Sequence, residues 1–126
     1  MNKNMEAKTR VYDLEKRLID FGVMIMKLVE LLPKNKAGDH IGGQLIRSGT
    51  SPALNYGEAQ VAESRNDFIH KMRICAKELK ETRVALQFVK EGKMMEDSEL
   101  LQECDNECTE LVRIFVSSIQ TAKSKK

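Results

Sequence analysis

Tryptophan is absent from this 126-residue chain, which carries only two prolines, four phenylalanines and two tyrosines. So few rings and so much charge fit a helical bundle and not a β-sandwich. Hairpin turns of the Asn-Gly type are missing, and no stretch sustains a period of two, so nothing predicts a strand. The cysteines, Cys75, Cys104 and Cys108, are odd in number and form no C-x-x-C pair. Each falls at an apolar position of a helical pattern, which predicts buried, reduced thiols and no zinc. The most continuous apolar run, Phe21 to Leu32, is broken by Lys27 and Glu30 and is too short to cross a bilayer. Residues 1–9, with Lys3, Asn4, Glu6 and Lys8, lack the apolar segment of a signal peptide, so a cytoplasmic location is expected. No G-x-S-x-G elbow or glycine-rich phosphate loop occurs, and Gly42-Gly43 lies inside a helical pattern. Neither an enzyme nor a cofactor is therefore expected.

Heptad-like seams fill the rest of the chain. Leu14, Leu18, Phe21, Ile25, Leu28 and Leu32 alternate steps of four and three, which predicts a helix from about Arg10 to Leu32, ended by Pro33. Asp39 and Asn35 are equal candidates to cap a second helix running to about Ala62. Ser64 and Asp67 have capping-box spacing and open a third, whose seam is Phe68, Met72, Cys75, Leu79, Thr82 and Leu86. Gly92 is expected to end it as a left-handed cap. A fourth begins near Asp97 or Ser98, with Leu101, Cys104, Cys108, Leu111 and Phe115 on its seam. Four such helices on short links predict an all-α fold, an up-down-up-down four-helix bundle forming one domain over residues 1–126. Residues 1–9 and 122–126 are expected to be flexible.

The stretch Arg47 to Ala59 breaks helix rules inside this pattern, because Gly49, Thr50, Ser51 and Pro52 all disfavour helix. Small and apolar residues nevertheless keep the helical beat through Leu45, Ser48, Pro52, Asn55 and Ala59. One helix kinked near Pro52, or two helices meeting there, satisfies both facts. Arg47, Ser51, Asn55 and Glu58 make a polar row that sets how the next helix docks.

Metal and charge patterns come next. A di-metal bundle needs Glu-x-x-His pairs facing inward, and the near match Asp67-Phe68-Ile69-His70 turns away from the seam, so no metal is expected. On the third helix Arg65, Arg73, Lys80, Arg83 and Lys90 gather on one flank, and Glu63, Asp67, Glu78 and Glu81 on the other. Three readings stand: a solvated helix with pairs such as Lys77 to Glu81, a subunit interface joining basic to acidic flanks, and a phosphate-binding stripe. Ile74, Val84 and Phe88 lie off the seam, which hints at burial by something outside the bundle. The net charge of +2 is too small to imply nucleic acid without such clustering.

Several blocks, Ile46-Arg47-Ser48-Gly49-Thr50-Ser51, Asn55-Tyr56, Glu58-Ala59, Glu63-Ser64, Asp67 to Met72, Lys77-Glu78-Leu79 and Glu81-Thr82, occur in an order that resembles one family. These are the four-helix-bundle proteins encoded by intervening sequences in bacterial 23S ribosomal RNA genes, also called S23 ribosomal proteins. The accessory variability determinant of diversity-generating retroelements belongs with them. The resemblance implies a homopentamer, with structured RNA or a nucleic-acid-processing protein as partner. Arg47, Arg65, Arg73, Lys80 and Arg83 would be the contacts to RNA. Pro52 and Gly57 depart from the family pattern, which more often has an aliphatic residue and an Arg. Asn55, Tyr56, Glu58 and Lys71 have two readings. As structure, Asn55 and Glu58 satisfy the second helix and Glu58 reaches Lys71; as function, Arg47, Tyr56 and Arg65 offer charge and a stacking ring to RNA.

Overall fold

The computed structural model describes the backbone of residues 3–125 and the side chains of residues 14–125. Four helices follow one another: α1 (Lys3–Glu30), α2 (Lys36–Gln60), α3 (Arg65–Glu91) and α4 (Glu99–Ser124). Each packs on two neighbours, in the cyclic order α1, α2, α3, α4 and back to α1. That is the antiparallel bundle the seams predict. Helical backbone extends into both segments expected to be flexible, while Met1, Asn2 and Lys126 lie outside the described residues.

The core holds the predicted seams: Leu18, Phe21, Ile25 and Leu28 of α1 meet Leu45, Leu79, Leu86, Leu111 and Phe115, all fully buried. Cys75, Cys104 and Cys108 are buried among them and form no disulfide. Their surroundings push the thiols up, to about 12 for Cys75 and Cys108 and about 11 for Cys104, chiefly because burial penalises a thiolate. Such thiols are poor nucleophiles.

The caps resolve the open choices. Asn35, not Asp39, caps α2, its side chain accepting from the Gly38 amide at 2.9 Å. Ser64 and Ser98 do the same for α3 and α4, accepting from Asp67 at 3.0 Å and Leu101 at 3.2 Å. The end of α3 differs from expectation. Gly92 is right-handed (φ −79°), and Lys93 takes the left-handed turn (φ 50°). The Lys93 amide bonds to the Lys90 carbonyl and the Met94 amide to that of Val89, a Schellman ending displaced by one residue. Gly92 is still constrained, since a Cβ there would stand 2.7 Å from the Phe88 carbonyl oxygen.

α2 runs unbroken through Pro52. Because Pro52 has no N–H, the Ser48 carbonyl loses its usual helical donor. Around this gap the hydroxyls turn back on the helix: Ser48 Oγ donates to Gln44 O at 2.8 Å and Thr50 Oγ1 to Ile46 O at 2.6 Å. The Thr82 hydroxyl of α3 lies 2.8 Å from Ser48 Oγ, both buried, so a polar contact fixes the α2–α3 register inside the core. Asn55 Nδ2 donates to the Ser51 carbonyl at 3.1 Å and hydroxyl at 2.9 Å.

On the other side of α2, glycines let α1 approach. Gly49 lies against Ile25, Gly42 against Val29, and Gly22 against Gly49 and Thr50. Of the Gly42-Gly43 pair inside the helical pattern, Gly42 is part of this close seam.

Candidate nucleic-acid interface

The basic residues singled out in the sequence separate in space. Arg47 does not stand free: its guanidinium meets Glu78 and Glu81 of α3, each at 3.2 Å, and Gln44 at 2.9 Å. Glu78 is buried, and its carboxyl is raised above the ordinary value by burial and by Glu81, with Arg47 pulling it back down. Two of the acidic residues expected to form an outward flank are thus held within the chain, and Glu81 pairs with Arg47 instead of Lys77. Lys90 is likewise bound, to Asp105 of α4 at 2.7 Å.

Arg73 and Lys80 are exposed on the outer face of α3 and line a cleft of about 830 Å³. Its other cations are Lys77, one helical step from each, Lys123 of α4, and Arg47, whose partner Glu81 also lines the cleft. Val84, Val116 and Ile119 supply aliphatic walls. A second cavity of about 430 Å³ shares Arg73 and Lys123 and adds Arg65 and Lys125. Because α3 and α4 run antiparallel, the start of one lies beside the end of the other, and the Arg65 guanidinium donates to the Lys125 carbonyl. The two hollows therefore form one cationic face, from Arg65 to Lys80 along α3. That is about 22 Å at the helical rise.

Arg83 is exposed but lines neither hollow; it sits toward Cys108, whose thiol its charge lowers against the larger effect of burial. Lys77, Lys123 and Lys125 were not picked out in the sequence, since Lys77 had an acidic residue four positions on and the other two belonged to an apparent loose tail. Their signal lay in topology: a basic end of α4 beside the basic start of α3.

The motif in α2 and α3 has its structural role. Lys71 reaches Glu58 at 3.2 Å, and Tyr56 is buried with its ring edge-on to Phe115, centroids 5.9 Å apart and planes at 86°. Tyr56 is closed off from stacking on RNA, which corrects the functional reading of that residue. His70 is exposed, and no group of three or more possible metal ligands converges among the described residues.

The fold and this face define a four-helix bundle with one strongly cationic side. The chain belongs to the 23S rRNA-intervening sequence protein family, whose pattern matches residues 7–117. A solved structure of a protein of unknown function from the S23 ribosomal protein family of Bacteroides thetaiotaomicron is similar to it. That similarity has 31% identity and a TM-score of 0.76, covering 83% of this chain and 96% of that one. No curated protein matches. Among the described residues, no helix is long and apolar enough to cross a membrane.

Proposed function

We propose that this protein is a non-enzymatic, self-associating bundle that holds structured RNA against the α3–α4 face, in keeping with a cytoplasmic role. One observation carries the reading. Among the described residues, Arg73, Lys77, Lys80 and Lys123 share a cleft and form no ion pair, whereas Arg17, Arg47, Lys71 and Lys90 are each matched to a carboxylate on another helix. On a chain of net charge +2, Arg73, Lys77, Lys80 and Lys123 outnumber the one carboxylate of the lining, Glu81, which Arg47 already holds, although Lys77 also acts on the nearby Glu78, so positive potential concentrates there.

Self-association has its own support on the opposite side. Ile19, Val23 and Met26 of α1, Ile46 and Leu54 of α2 and Val61 just after it are exposed, Leu54 and Val61 by more than 70%. Both rows border the α1–α2 seam, where Gly22 meets Thr50 and Gly42 meets Val29. An apolar face of this kind suits contact between copies, and five copies would agree with the resemblance drawn from the sequence.

A gel-shift titration of the Arg73→Glu, Lys80→Glu variant against the parent tests the RNA reading. The variant should lose most of its affinity while keeping the parent's native mass; equal binding would refute it. A monomer by native mass measurement at micromolar concentration would refute self-association. Exposed Val84 and Phe88 beside the cleft favour a second reading, a scaffold for another protein. Purification free of nucleic acid at low salt, with no RNA shift, would select it.

A further inference from the structure

We infer that the α3–α4 face holds double-stranded RNA by its backbone, without reading its bases. This rests on the RNA-binding reading above and narrows its ligand. Arg and Lys, which donate hydrogen bonds and accept none, make up most of the polar side chains of the two hollows; of the acceptors there, Glu81 and Gln44 already accept from Arg47, which leaves Gln120 and Asn66. Phosphate oxygens are acceptors only, so this lining complements a backbone; Watson–Crick edges present donors and acceptors together and need both in return. In an A-form duplex those edges are already paired and the major groove is too deep and narrow for side chains, leaving phosphates and 2′-hydroxyls as the available surface.

The second argument comes from the apolar part of the lining. Single-stranded RNA is held by stacking successive bases on rings. Here the apolar walls are Ala76, Val84, Val116 and Ile119, all aliphatic. Phe21, Tyr56 and Phe115 are buried in the core, and Phe88, although exposed, stands one helical turn beyond Val84 and outside both linings. The two linings thus offer cations and aliphatic walls without an aromatic ring. Their cations are also spread along a rod: Arg73 and Lys80 are separated by about 10 Å of helix axis and Arg65 lies about 12 Å before Arg73. A stiff duplex presents phosphates over such a span at no cost in ordering, whereas a flexible strand has to be straightened to do so.

The test measures binding of the full chain to three RNAs of about 24 nucleotides per strand: a duplex, a duplex of permuted sequence with the same composition, and a single strand without self-pairing. The two duplexes should bind within about twofold of each other and at least tenfold more tightly than the single strand. Affinity should fall with salt at a log–log slope of roughly −4, as expected for four or five neutralised phosphates. A single strand that binds as tightly as the duplex, or a permuted duplex that loses tenfold, would overturn this inference while leaving RNA binding intact. If none of the three binds more tightly than it does to the Arg73→Glu, Lys80→Glu variant, the RNA reading falls and takes this inference with it.

Discussion

A methyl group added at Gly49 would lie 3.0 Å from two carbons of Ile25 and 3.2 Å from a third, in a fully buried contact. Gly49→Ala should therefore cost about 1–3 kcal/mol, because α1 must move away or Ile25 must leave its rotamer. Gly43, one face away, has nothing within 4 Å of such a methyl. Gly43→Ala should stabilise by roughly 0.5–1 kcal/mol through lower unfolded-state entropy. Urea unfolding of the two variants should give midpoints on opposite sides of the parent. Lys93 offers a third case, since its φ of 50° places a Cβ where the left-handed turn penalises one. Lys93→Gly should raise stability by about 0.5–1 kcal/mol in the same assay. The thiols make a pH prediction. A thiol whose folded pKa is raised contributes stability that is complete below its unfolded pKa and lost as pH rises through the folded value. The contribution of Cys75, Cys104 and Cys108 should thus decline between about pH 9 and about 12. A variant with all three replaced by Ala should show a flatter decline over that window. At pH 8 the folded parent should resist a thiol reagent that reacts with all three cysteines in guanidinium.

Between elements, the α2–α3 contact depends on charge as well as packing. Glu78 has a raised folded pKa, so its carboxyl favours the fold while protonated and that contribution is lost as pH climbs through the folded pKa. Arg47 offsets the loss by stabilising the carboxylate. Arg47→Ala should accordingly destabilise at pH 7, by about 1 kcal/mol or less given that Arg47 is half exposed, and scarcely at all near pH 4. Denaturant curves at the two pH values would check the difference. The helices themselves were legible because steps of three and four put Leu18, Leu79 and Leu111 on faces that have nowhere to go but inward. The Ser48–Thr82 contact was less so. A wheel places each residue on its own helix, but it does not say which turn of α3 meets which turn of α2. The same blindness explains the cationic face: Arg73 and Lys80 were visible on α3, while Lys123 came into view only when the antiparallel partner was laid beside it. The end of α3 was misplaced by one residue because a left-handed cap usually selects glycine and here the turn falls on Lys93.

For the whole molecule, the two outer faces differ in kind. Apolar side chains are exposed on the α1–α2 side, and Arg73, Lys77, Lys80 and Lys123 line the α3–α4 side. Under the proposed self-association, Leu54→Glu with Val61→Glu should lower the mass read by light scattering without reducing helix content in far-ultraviolet circular dichroism, since neither side chain enters the core. Under the proposed RNA binding, Lys77→Glu with Lys123→Glu should weaken it and leave the mass unchanged, separating the two faces by experiment. Copies that meet through the apolar side would all turn their charged sides away from the joint. A polyanion long enough to touch two of them gains the second contact without a second search through solution, so its grip grows with its reach. A fragment that spans only one copy forgoes that avidity, however well it fits.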